Sequence, residues 1–157
     1  MIGGSGCPAL QMVQMSIERA RRYRDKLDLI ILRAGQAQTW LDEDCPELFL
    51  ADDKTKLATY KAFQEAVEAS LDLVAMICKD LGLNPQDDYG NLEKLGDLSD
   101  VSRAVLMEAN GLRNHLVHRY NKRDDRLARD SMADLIPGIL AFAGEVETWL
   151  ERTLSKG

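Results

Sequence analysis

One stretch of 28 residues, 54–81, repeats apolar side chains at three- and four-residue steps, and this period commits the chain to helices. Leu57, Tyr60, Phe63, Val67, Leu71, Val74, Cys78 and Leu81 fall on one face of such a helix. At 1.5 Å per residue it would be about 42 Å long, which suits a slender bundle better than a compact globin-like packing. Asp52 or Asp53 supplies a side-chain cap for its first turn, and Gly82 supplies the residue that stops it.

The rest of the chain extends the pattern. A first helix is expected over about 14–41, with Tyr23, Leu27, Ile30, Ile31, Ala34 and Leu41 inward and Gly35 weakening its middle. The basic run Arg19, Arg21, Arg22, Arg24 and Lys26 reads as its solvated face. Residues 42–53 contain Pro46 and six acids and read as a connection. Residues 82–96, with Pro85, Asp87, Asp88 and Gly90, read as loop with one short helix near Leu92. A third long helix follows a Ser99 cap and buries Val101, Val105, Ala109, Leu112 and Leu116. Residues 121–125 interrupt the pattern before a last helix that turns Leu127, Met132, Leu135, Ile136, Ile139, Phe142, Val146, Trp149 and Leu150 inward, with a kink at Pro137. No strand-period segment and no internal repeat is present. The expected fold is all-α: an up-and-down bundle of four main helices with one additional short helix, spanning residues 14–155. Residues 1–13, which begin MIGGSGCP, are expected to form a flexible tail, and Met12 and Met15 are alternative starting residues.

Length and charge narrow the function. The 157 residues suffice for one domain with a real core, and 45% apolar with 29% charged residues is the balance of a globular chain. A net charge of −6 argues against coating nucleic acid through overall charge. Locally the sign reverses: residues 113–129 hold six Lys or Arg (113, 119, 122, 123, 126 and 129) against two acids. A small basic site on an acidic body fits a selective phosphate contact or an acidic partner. Cys7, Cys45 and Cys78 are odd in number and lack C-x-x-C spacing, so neither a disulfide framework nor a zinc site is indicated and a reducing cytoplasm is expected. Apolar runs such as Leu29 to Leu32 are far too short to span a membrane.

That basic cluster contains both histidines, in Arg113-Asn114-His115-Leu116-Val117-His118-Arg119-Tyr120. On a helix Arg113 and Tyr120, seven apart, share a face, and Asn114 and His118, four apart, lie beside it. The expectation is a polar edge of four groups opposite the buried stripe. No metal constellation, Gly-rich phosphate loop or nucleophile elbow accompanies it, so neither a metal nor a cofactor is expected. The aromatics that could stack on single-stranded RNA are few, at three Phe, two Trp and four Tyr, and most occupy inward positions.

Arg113, His118 and Tyr120 spell R-x-x-x-x-H-x-Y, with Asn114 after the arginine, and "RNHLVHRY" resembles the motif "RNxLVHxY" of the HepT-like branch of the HEPN superfamily. The resemblance extends over roughly residues 18–150, but only these eight residues are specific. It implies a HEPN-like helical fold and a metal-independent ribonuclease toxin. Its partner would be an MntA-like nucleotidyltransferase antitoxin, and the protein would be a homodimer that pairs two motif helices. The residue chemistry agrees with these roles. A histidine near its reference pKa of about 6.5 holds either protonation state at neutral pH, so His118 can move a proton at the ribose 2′-hydroxyl or the leaving oxygen. Arg113 offers a permanently charged fork matched to the pentavalent phosphate. Asn114 would orient the phosphate or the catalytic pair. Tyr120 would contact substrate and, by the resemblance, accept AMP from the partner. His115 occupies a variable motif position and is expected at the surface. The bland alternatives are an arginine that salt-bridges, a satisfied polar histidine and a tyrosine that anchors a bundle end. Glu65 and Glu68 either contact the motif or form a solvated face. The competing function is a non-catalytic helical module for dimerisation or for docking a nucleotidyltransferase.

Overall fold

A computed structural model describes residues 15–84, 86–118 and 122–156, without the side chains of His118, residues 122–124 and Lys156. The expected tail, residues 1–13, and Tyr120 lie outside the described residues. Among the described residues there are six helices and no strand: α1 (Ile17–Glu43), α2 (Pro46–Ala51), α3 (Asp53–Asp80), α4 (Asp88–Lys94), α5 (Asp100–His118) and α6 (Lys122–Lys156).

The expected caps form. Asp52 accepts from the Thr55 backbone N–H at 3.1 Å and starts α3. At the other end Gly82 takes φ +78°, with Gly82 N–H bonded to Lys79 O and Leu83 N–H to Cys78 O, so that the last carbonyls of α3 are satisfied by a Schellman turn. Ser16 caps α1 through the Arg19 N–H at 3.0 Å, and Ser99 caps α5 through the Ser102 N–H at 3.1 Å. Two boundaries differ from expectation. The segment read as a connection contains α2, because Pro46 sits in its first turn, where a missing N–H costs nothing, and Phe49 is fully buried. The last helix begins at Lys122 and runs through Pro137 for 35 residues.

The four long helices alternate in direction. Tyr23 donates to Asp80 and Arg33 to Glu65, each at 2.7 Å, which sets α1 antiparallel to α3. Glu145 accepts from the Ser99 N–H at one end of α5, while Leu112 and His115 at the other end share a cavity wall with Leu127 and Ala128, so α5 and α6 are antiparallel too. Between them the core is closed by Tyr23, Phe63, Leu106, Ile139, Phe142 and Leu150, all fully buried.

Four expected core residues, Ile31, Leu57, Val101 and Leu127, are exposed. Each lies at the border of an apolar stripe wider than the arc that its neighbours cover. On α5 the difference changes the site. The buried line runs through Ser102, Leu106, Ala109 and Asn110, one residue round from the line through Val101. Arg113, seven residues after Leu106, therefore continues the buried face and does not stand opposite it.

Candidate active site

Arg113 is the motif side chain that the fold places most firmly. Its side chain is 18% exposed. Nη2 donates to Asn110 Oδ1 at 2.6 Å, and Nη1 donates to Glu68 Oε2 on α3 at 3.2 Å. Asp88 of α4 approaches Nη2 at 3.6 Å. The guanidinium is thus oriented by an amide one turn back on its own helix and by two carboxylates from two other helices. Its Nε is buried, with no hydrogen-bond partner among the described residues. Glu68 and Asp88 are each more than two-fifths exposed, so the water-facing side of the cluster is acidic and labile while the protein-facing side is fixed.

Local interactions explain how Asp88 arrives there. Arg103, on the first turn of α5, donates to the carbonyls of Leu92, Leu95 and Leu98, tying the end of α4 and the turn after it to α5. The Asn91 carbonyl accepts from the buried Cys78 thiol of α3, and Asn91 Oδ1 accepts from the Gln86 N–H. With α4 laid along both helices, its first residue, Asp88, meets Arg113. Burial raises the Cys78 thiol above its ordinary pKa, as suits a packing residue.

The remaining motif residues divide. Asn114 is exposed, and His115 is half-buried against Leu112, Leu127, Ala128 and Ser131 instead of fully at the surface. His118 is the last residue of α5; its side chain, and Tyr120 entirely, lie outside the described residues. Of the two acids weighed on α3, Glu68 touches the motif, whereas Glu65 pairs with Arg33 and Lys61. The basic cluster is also less free than its sequence suggests. Besides Arg113, Arg126 pairs with Glu47 at 3.0 Å and Arg129 with Asp130 at 2.9 Å. Glu47 is held below the ordinary carboxylate range by its own backbone N–H and by Arg126. Arg19 and Lys26, read as solvated, pair with Asp80 and Asp72 of α3.

Sequence reasoning missed Asn110 and Asp88. A polar residue three before Arg113, on the line of Ser102 and Leu106, was the available signal for Asn110. Nothing in the loop-like composition around Asp88 indicated a contact 25 residues away (113 − 88 = 25). Among the described residues no three His, Cys, Asp or Glu side chains are grouped as a metal site, and no helix is long and apolar enough to cross a membrane.

The helical bundle and the sequence R-N-x-x-x-H-x-Y, whose arginine is Arg113, agree with the HEPN-like fold that the resemblance implies. The ribonuclease HepT-like family model matches residues 13–146, and the chain belongs to that family of endoribonucleases. It is 40% identical over 137 residues to a protein of Archaeoglobus fulgidus named "Putative RNase", covering 85% of this chain and 97% of that protein. A second Archaeoglobus fulgidus protein of the same name is 34% identical over 112 residues, covering 68% of this chain and 76% of the relative. No solved structure matches the chain.

Proposed function

We propose that this ribonuclease cleaves RNA at the Arg113–His118 pair and is the toxin of a toxin–antitoxin system. Arg113 binds and stabilises the phosphate as negative charge builds on it. His118 transfers the proton at the attacking 2′-hydroxyl or the leaving oxygen, and Asn114 orients the phosphate from the exposed flank. The observation that carries the reading is the environment of Arg113. It is a guanidinium fixed from behind by Asn110 and bordered by carboxylates exposed enough to yield to a phosphate.

The protein works as a homodimer in this proposal, and an MntA-like nucleotidyltransferase silences it by transferring AMP to Tyr120. The adenylate would occupy the phosphate-binding capacity of Arg113 and block RNA entry with its base. The test uses purified protein and a labelled RNA. Wild type cleaves, and His118→Ala cleaves about a hundredfold more slowly. Equal cleavage by both would remove the catalytic assignment of His118, and no cleavage by wild type would favour the non-catalytic docking module. Light scattering on the same preparation should give twice the 17.6 kDa chain mass. Co-expression with the nucleotidyltransferase should add adenylate that Tyr120→Phe abolishes; an active transferase that leaves Tyr120 bare counts against the regulatory half.

A further inference from the structure

Lys56, Tyr60 and Asp125 form a polar cluster sealed in the bundle, and the chemistry above does not use it. They are 2%, 6% and 4% exposed. The two carboxylate oxygens of Asp125 divide the work: Oδ2 accepts from Lys56 Nζ at 3.0 Å and Oδ1 from the Tyr60 hydroxyl at 2.7 Å. Lys56 Nζ also reaches Asp53 at 3.2 Å and the Leu50 carbonyl at 3.5 Å, which draws the end of α2 into the same cluster. Burying an ammonium and a carboxylate together is expensive, and apolar side chains of the same size commonly fill such space with no loss of stability. What the ion pair supplies is register. A helix that slips by one turn on an apolar face finds another apolar contact, whereas a slip here takes the buried Asp125 carboxylate away from both Lys56 and Tyr60.

The location shows which register is at stake. Asp125 lies in the first turns of α6, seven residues after His118 and five after Tyr120. On the other side of those two residues Arg113 is tied to Glu68, and Glu68 stands on the same helix as Lys56, twelve residues on (68 − 56 = 12). Three turns of helix separate these points by about 18 Å. A single helix, α3, therefore meets the chain at Arg113 on α5 and again, through a buried pair, at Asp125 on α6.

We infer that Lys56, Tyr60 and Asp125 are positioning residues: by fixing the start of α6 on α3, they set where α6 stands relative to Arg113 and the end of α5. The inference rests on the ribonuclease reading for its catalytic consequence and on the packing alone for its structural one. The triple variant K56M/Y60F/D125L replaces the three side chains with apolar groups of similar size and leaves Asp53, which is 82% exposed, to water. It should melt at or above the wild-type temperature. Amide hydrogen exchange in peptides covering 113–125 should nevertheless rise about tenfold while α1 keeps its protection. On an RNA substrate kcat should fall about a hundredfold with KM little changed, the pattern of a catalytic group displaced by about an ångström.

A triple variant with wild-type melting, exchange and kcat overturns the inference, because the cluster would then be structural filling. If the triple variant fails to fold, Asp125→Asn decides: it keeps the shape and an acceptor for Tyr60, and it must show the same local exchange and loss of kcat, or the inference fails. A wild-type protein that cleaves no RNA refutes the ribonuclease reading alone, since the exchange measurement still supports or overturns the positioning of 113–125.

Discussion

Replacing Arg113 with alanine should cost stability as well as activity, and the two losses are separable. Asn110 is 2% exposed, and its side-chain oxygen accepts from Arg113 at 2.6 Å. Truncation leaves that buried oxygen without its donor, at about 1–3 kcal/mol. Glu68 and Asp88, 42% and 43% exposed, regain water, so their lost ion pairs add only about 0–1 kcal/mol. In the opposite direction, removing the buried and unpartnered Nε returns about 1 kcal/mol. Taken at their midpoints these terms leave a net destabilisation of about 1.5 kcal/mol and a fall in Tm of roughly 3–6 °C for a chain of this size. Thermal melting by circular dichroism measures it. Arg113→Ala combined with Asn110→Leu removes the stranded amide and should recover most of the Tm, while RNA cleavage stays about a hundredfold down in both variants. A Tm for Arg113→Ala within 1 °C of wild type, by about the sensitivity of such melts, would refute the claim that the arginine completes the buried face.

Two further outcomes follow from the packing. A Cβ at Gly138 would stand 2.7 and 2.9 Å from the two γ-carbons of Val105, so Gly138→Ala forces α5 from α6 at about 1–3 kcal/mol, against about 1 kcal/mol gained in helix propensity; urea titration should show net destabilisation that Val105→Ala largely relieves. Burial, then the hydrogen bond to Asp80, raises the Tyr23 phenol far above its ordinary pKa, so the folded chain keeps a proton that the unfolded chain releases from about pH 10. The contribution is intact below that pH and falls by about 1.4 kcal/mol per pH unit above it, and denaturant titrations at pH 9 to 11, ordinary values for a tyrosine titration, should show a slope that Tyr23→Phe removes.

What the sequence disclosed, and what it hid, follows from the range of each interaction. The ends of α3 and the start of α5 were legible because Asp52, Gly82 and Ser99 act on backbone within a few residues of themselves. The short α2 was not, because Phe49 is its single buried side chain and its acids look like those of a loop. The rotation of α5 escaped for a different reason. An apolar template accepts Val101 and Val105 and rejects Ser102 and Asn110, but burial accepts polar groups that are paired, and Glu145 and Arg113 supply those pairs. The motif was readable as a string, whereas its environment depends on Glu68, 45 residues upstream (113 − 68 = 45), and on Asp88 in a segment with no periodic signal.

These long-range pairs meet on one helix. Half of the 28 residues of α3 are buried, and among them Ala62, Ala66, Ala69 and Ser70 are small enough for neighbouring helices to approach closely. Small apolar surfaces attract without specifying height along the axis. Height is specified by polar side chains at intervals along α3: Asp80 takes Tyr23 and Arg19, Asp72 takes Lys26, Glu65 takes Arg33, Glu68 takes Arg113, and Lys56 with Tyr60 takes Asp125. The exposed members of this series contribute little energy each, since solvent screens them. The buried member at Asp125 is held by Lys56 and Tyr60 together, and it lies near the start of α6. On the proposed mechanism this register is set next to the motif, where a displacement of an ångström would cost the most in catalysis.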